Sequence, residues 1–229
     1  MTALQLPETV KTAIAKEPSV FFEILREAVS LAVWERGPVR QITPFLSYLL
    51  EGPDPVNIDV TPFQADDFSS SLENYIVRSP DRVVSAAHAF VSDVASLVAC
   101  FGEVSGRKHL RVRLQRVEDD GCALFHVDTL ALRMLCTYCG PGTQWLDDEN
   151  VRREELGLRG RSIEDANRSI VINDQRIHTI PAWNVLIFKG RLWEGHGYQD
   201  GLVHRSAPVR SMNERRLRLT VDFSNACAC

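Results

Sequence analysis

After Gly102 the hydrophobic pattern of this chain changes period, so no single kind of secondary structure can accommodate both halves. Before that point apolar residues recur at helical spacing. Phe21, Ile24, Leu25, Ala28, Leu31 and Ala32 line one side of a segment predicted to be helical over residues 20–36, with Gly37-Pro38 as its stop. A short helix is expected over 44–50 behind a Thr43 cap, and another opening at Thr61-Pro62 and running to about Tyr75. The strongest helix starts at the Ser79 cap. Val83, Val84, Ala87, Phe90, Val91, Val94, Leu97, Val98 and Phe101 give it one continuous apolar face.

Beyond Gly102, Leu110, Val112 and Leu114 alternate with Arg111, Arg113 and Gln115, the period of a strand with one face in water. Strand-like runs follow at 122–126, 130–138, 169–173, 176–180, 184–188, 202–205 and 215–223. With turn signals such as Gly140-Pro141-Gly142 and Asn173-Asp174 between them, they predict a sandwich or barrel of the jelly-roll kind. The expected fold class is therefore α+β: a helical region over residues 1–105 packed on a jelly-roll domain over 106–229. Residues 147–167 turn polar, and an insertion of that length between strands is either a lid over a site or a solvated excursion.

Two of the strand-like runs carry chemistry. On a strand, residues two apart share a face, so His126 and Asp128 in Phe125-His126-Val127-Asp128 can offer an imidazole and a carboxylate to one ion. His204 in Val203-His204-Arg205-Ser206 would complete a two-histidine, one-carboxylate triad with open coordination positions, the arrangement of non-haem Fe(II) oxygenases. Cysteines offer a rival: Cys136-x-x-Cys139 and Cys227-x-Cys229 are the four thiols of a candidate structural zinc site, although on a regular strand Cys136 and Cys139 face opposite ways. His88, His109, His178 and His196 carry no such pattern, though His196 lies in a glycine-bearing loop shortly before His204. Tyr138, Trp145, Trp183 and Trp193 are either core residues or the lining of a pocket.

A net charge of -4 argues against a general grip on nucleic acid. The first residues lack the basic-then-apolar order of a secretory signal, and the apolar run 83–101 is interrupted by His88, Ser92 and Asp93. These features predict a cytoplasmic protein without a membrane span, its six cysteines mostly reduced.

The order of these motifs resembles the double-stranded β-helix of the Fe(II)/2-oxoglutarate oxygenases: His-x-Asp, then Val185-Leu186-Ile187-Phe188-Lys189-Gly190, the His204 strand, and Arg216-Leu217-Arg218-Leu219-Thr220-Val221-Asp222-Phe223. More narrowly, 125–128 with Cys136-Thr137-Tyr138-Cys139-Gly140-Pro141-Gly142-Thr143-Gln144-Trp145-Leu146 resembles an uncharacterised bacterial family of unknown function, DUF1826. The oxygenase resemblance implies that His126, Asp128 and His204 hold iron, and that Arg218 with Thr220 binds the far carboxylate of 2-oxoglutarate. Arg216 shares that face, and Arg205 or Arg215 are further alternatives. The competing expectation is a non-catalytic protein that holds zinc or another divalent ion on a cupin-like barrel. The substrate, small molecule or peptide, is not legible. The helical half either covers one face of the barrel or forms a homodimer surface.

Overall fold

A computed structural model describes residues 12–119, 122–194 and 200–223. In chain order the elements are β1 (Thr12–Ala15), β2 (Leu31–Trp34), α1 (Thr43–Glu51), β3 (Asn57–Val60), α2 (Ala65–Val77), α3 (Asp81–Ser105), β4 (Leu110–Val117) and β5 (Leu132–Cys139). They continue with β6 (Gln144–Trp145), α4 (Ile163–Ile170), β7 (His178–Thr179), β8 (Val185–Lys189), β9 (His204–Arg205) and β10 (Arg216–Phe223). Seven strands form one sheet in the order β1-β2-β8-β5-β10-β4-β3, and β7-β6-β9 form a second. An isolated bridge between His126 and His204 extends the smaller sheet by one more segment.

The expectation that residues 20–36 are helical is wrong. Pro18–Leu25 is a 3-10 helix, and the chain then enters β2, flanked by β1 and β8. Because β2 is buried on both faces its run Leu31-Ala32-Val33-Trp34 is continuously apolar, a pattern that periodicity cannot tell from a buried helix. With β1 and β3 it places three strands of the larger sheet in the part of the chain expected to be helical. Two expected strands are also absent: 169–173 holds the end of α4 and a single bridge, Val171 to Val151, while 122–126 pairs only through His126.

The larger sheet has two different faces. Leu132, Met134, Cys136 and Tyr138 of β5 and Leu217, Leu219 and Val221 of β10 share one buried cluster with Phe45 and Leu49 of α1, Phe68 and Leu72 of α2, and Phe90, Val94 and Phe101 of α3. Each of those fully buried rings stabilises the fold by about 1.5–3 kcal/mol. Arg36 and Tyr138 both bond Asp93 of α3, at 2.8 and 2.6 Å, fastening the helix to the sheet. By length and composition α3 would be long and apolar enough to cross a membrane; here its apolar face lies in that shared cluster.

The opposite face of the sheet meets the smaller sheet. Leu31, Val33, Leu135, Leu186 and Phe188 pack there on Trp145, Ile180 and Leu202. Beside this apolar patch the same face carries Arg113, Arg133, Arg216, Arg218, Thr220 and Asp222, so the face of β4 expected in water is in part a polar interior. The polar stretch 147–167 is neither a bare lid nor a solvated excursion, since its Val151 joins Ile170 and Val171 just beyond it in a buried cluster. Val151, Ile170 and Val171 cover the outer side of the smaller sheet against Phe125, Val127 and Val203.

Candidate metal centre

Alternation along 124–128 sends Phe125 and Val127 into the outer cluster and turns His126 and Asp128 towards the space between the sheets. The segment lacks a full strand neighbour, and Asn167 substitutes for one: its Oδ1 accepts from the Phe125 amide at 2.8 Å and its Nδ2 donates to the Ala123 carbonyl at 2.8 Å. On the other side His126 and His204 exchange backbone bonds of 3.0 Å in both directions. Gly201 lets the two segments approach. At φ 102° a Cβ there would lie 2.8 Å from Val127 Cγ1 and 2.9 Å from the Gly190 carbonyl carbon. Gly201→Ala is accordingly expected to cost about 2–3 kcal/mol in urea unfolding, from left-handed strain and overpacking together.

The ligand atoms offered by His126, Asp128 and His204 all lie within 4.8 Å of one another, the only such grouping of three or more candidate ligands among the described residues. Each imidazole has its Nδ1 beside the carbonyl two residues earlier, Leu124 at 2.8 Å and Leu202 at 3.1 Å. A carbonyl only accepts, so both Nδ1 atoms carry hydrogen, and in the neutral rings both Nε2 atoms present lone pairs. Those lone pairs face a buried carboxylate: His126 Nε2 is 3.3 Å from Asp128 Oδ1, and His204 Nε2 is 3.7 Å from Oδ2. Asp128 Oδ1 is buried and makes no well-formed hydrogen bond. Two imidazole nitrogens and a carboxylate oxygen converge here, and that donor set fits a divalent metal.

Burial lowers the pKa of His204 to about 4, leaving it neutral and ready to ligate. Burial also works against a charged His126, but the hydrogen bond and charge of Asp128 outweigh it and raise that pKa. Burial opposes the Asp128 anion too; His204 when protonated at low pH, the His126 hydrogen bond and the Arg133 guanidinium prevail and hold its carboxyl well below the usual range.

Sequence reasoning missed the support behind this cluster. Arg133 Nη1 donates to Asp128 Oδ2 at 2.5 Å, while its Nε and Nη2 reach Asp222 Oδ2 at 3.2 and 2.8 Å. Arg113 Nη2 donates to the same Asp222 oxygen at 2.6 Å. The available signal was a charge on the inward positions of otherwise apolar strands, Leu132-Arg133-Met134 and Val221-Asp222-Phe223.

The predicted arginines separate clearly. Arg216 is fully buried, and three hydroxyls occupy it: Thr137 at 2.8 Å, Ser206 at 2.9 Å and Thr143 at 2.6 Å. Arg218 donates to the neutral Gln115 at 3.0 Å, and its buried Nε has no hydrogen-bond partner among the described residues. With Thr220, Arg113, Arg133 and Arg205 it lines the cleft that also contains His126 and His204. Arg215 bonds the Leu50 carbonyl and lies outside that cleft.

The thiol alternative gains no support. Cys136 is buried in the helix-facing cluster, and burial pushes its thiol up to about 12 and that of Cys139 to about 11, far from the thiolate zinc requires. Cys227 and Cys229 lie outside the described residues, as does His196. His88 and His109 are exposed, and His178 stacks on Trp145 at 4.4 Å and bonds Asp147. Tyr138, Trp183 and Trp193 pack with the helix-facing cluster, and Trp145 packs between the sheets.

Fold and site together define a two-sheeted α/β protein with a His-Asp-His cluster, buried at Asp128 and His204 and half-buried at His126, at an arginine-lined cleft. The chain is similar to the crystal structure of the dioxygenase for auxin oxidation in rice, with 13% identity and a TM-score of 0.50 over 93% of this chain and 82% of that one. It is also similar to dioxygenase for auxin oxidation 1 from Arabidopsis thaliana in complex with 2-oxoglutarate (12%, TM-score 0.45, 95% and 92% covered). A prolyl-4-hydroxylase from Pseudomonas putida is similar as well (10%, TM-score 0.42, 89% and 95% covered). The rice enzyme's likeness is one of fold, consistent with a jelly roll. By sequence the chain belongs to the DUF1826 family, described as proteins of unknown function, whose model matches residues 15–222. No curated protein matches it.

Proposed function

We propose that this chain is a non-haem Fe(II)/2-oxoglutarate-dependent oxygenase of the hydroxylase type, built on a double-stranded β-helix. The observation that carries the reading is the convergence of two imidazole nitrogens and a buried carboxylate oxygen beside a cleft whose arginines outnumber its acids. His126, His204 and Asp128 would hold the iron. When bound, iron and 2-oxoglutarate supply the oxidising chemistry, with dioxygen consumed, the keto acid converted to succinate and carbon dioxide, and one oxygen atom delivered to the substrate.

The protein's own part is placement and charge. Arg218 is the favoured anchor for the distal carboxylate because its side-chain hydrogen bond among the described residues goes to a neutral amide, and Thr220, on the same strand face, adds a hydroxyl. Arg216 is a poor anchor, since hydroxyls already take its donors. The free space in the cleft is about 30 Å³, so binding a five-carbon diacid would require side chains lining it to move. An outer cavity of about 540 Å³ shares Cys122, Ser206 and Arg218 with the cleft and provides the access route.

The test is anaerobic. Wild-type protein with Fe(II) and 2-oxoglutarate is expected to show the weak visible charge-transfer band of the chelated keto acid. His126→Ala should lose both iron and band. Arg218→Ala should keep iron and bind 2-oxoglutarate about 10- to 100-fold more weakly, the worth of one charge-assisted contact. Iron bound without a band in the wild type would replace this reading with a metal-holding protein.

A further inference from the structure

We infer that a third cavity, between the 153–159 excursion and the His126 segment, is the substrate pocket, that it takes a small anionic molecule with an apolar body, and that Arg159 holds the anionic group. The inference rests on the oxygenase reading above. The cavity measures about 280 Å³, at the small end of ligand sites, which suits a small molecule rather than a polypeptide. Leu124, Val127 and Leu156 supply its apolar wall, Arg159 and Arg191 bring positive charge, and no described acidic side chain lines it. His126 lines both this cavity and the arginine-lined cleft, so a ligand here lies against the metal centre from the other side of that ring.

The loop that carries Arg159 is built for presentation. Gly157 at φ 96°, Arg159 at 49° and Gly160 at 77° are all left-handed, and a non-glycine residue held so costs about 1–3 kcal/mol. Arg161 braces the turn, with Nη1 on Glu155 Oε2 at 2.6 Å and Nη2 on the Glu155 carbonyl at 3.0 Å. Arg153, also on the wall, is committed to Asp148 and to the Gly201 carbonyl, and Arg191 donates to the Val127 carbonyl. Arg159 alone of these makes no hydrogen bond or ion pair among the described residues, so the strain that orients it is not repaid within the described fold. A carboxylate or phosphate on an apolar ligand matches what remains open: one guanidinium above a hydrophobic wall.

The experiment is ligand-observed NMR on the full metal-free chain with 4-phenylbutyrate, phenyl phosphate and the uncharged 4-phenylbutyramide. At least one of the two anions should bind, with the amide about tenfold weaker or worse. Whichever anion binds more tightly identifies the head group. Arg159→Gln should reduce the anion to the level of the amide, Arg159→Lys should restore part of the affinity, and Leu156→Trp should block every probe. Arg159 is exposed, so the Gln variant should keep the wild-type urea midpoint. Equal binding of amide and anion, an unaffected Arg159→Gln variant, displacement by 2-oxoglutarate, or no binding at all would each overturn the inference. Because no metal is present, anion binding without the iron band would sink the oxygenase reading and with it the substrate role, leaving an anion-binding pocket, whereas a band without anion binding would sink this pocket alone.

Discussion

Arg133→Met is expected to destabilise the metal-free protein by about 3–5 kcal/mol, the cost of stranding a buried carboxylate whose guanidinium has been removed. Asp128, Asp222 and Arg133 are all buried, and among the described residues Arg133 donates the one well-formed hydrogen bond that the Asp128 carboxylate accepts. Asp222 keeps Arg113, so most of the penalty falls on Asp128. Two comparisons make the origin visible in urea unfolding. Adding Asp128→Asn to Arg133→Met should recover part of the loss, since an amide costs less than an anion to bury, and the double-mutant cycle should show coupling. A divalent cation should shrink the penalty as well, because it takes over the charge of Asp128. A change within about 0.5 kcal/mol would mean that the network contributes nothing beyond an ordinary surface pair.

The second large effect is a dependence of stability on pH with two opposed limbs. His204, buried, has its pKa lowered from 6.5 to about 4, so the unfolded chain takes up that proton first. Its contribution is complete above pH 6.5 and is lost as the pH falls towards 4, by on the order of 2–3 kcal/mol. His126 works the other way. Burial disfavours its charged form, yet Asp128 raises its pKa, so the stability it brings is present below 6.5 and disappears as the pH rises through the raised value. With both acting, metal-free protein should be most stable near pH 6.5, and His204→Asn should flatten the acid limb between 6.5 and 4 while leaving the alkaline limb. An unchanged acid limb in that variant would rule out His204 as its source.

Much of the site was legible because it depends on short-range geometry. The two-residue period of a strand is enough to put His126 and Asp128 side by side, and the inward face of β10 is enough to group Arg216, Arg218 and Thr220. The helical face of α3 was equally plain from Val83 to Phe101, because so long an apolar stripe at helical spacing requires a helix with one buried side. What failed was local pattern where burial is two-sided. The residues of β2 look alike as a strand or as a helix, and α4 ends at Ile170 and runs on into Val171-Ile172, so that three consecutive β-branched side chains imitate a strand.

The sequence by itself determined which side chains share a face of each long element, since that follows from backbone periodicity. Only the tertiary structure decided which faces meet. It brought His204 from a distant segment against His126, gave the single amide of Gln115 to Arg218 but three hydroxyls to Arg216, and joined Arg133 to two aspartates far apart in the chain. Charges of this kind are hidden in a linear reading for a physical reason. A buried guanidinium is tolerable only beside its partners, and the partners lie on other strands, brought within hydrogen-bonding distance by sheet register that no local pattern encodes.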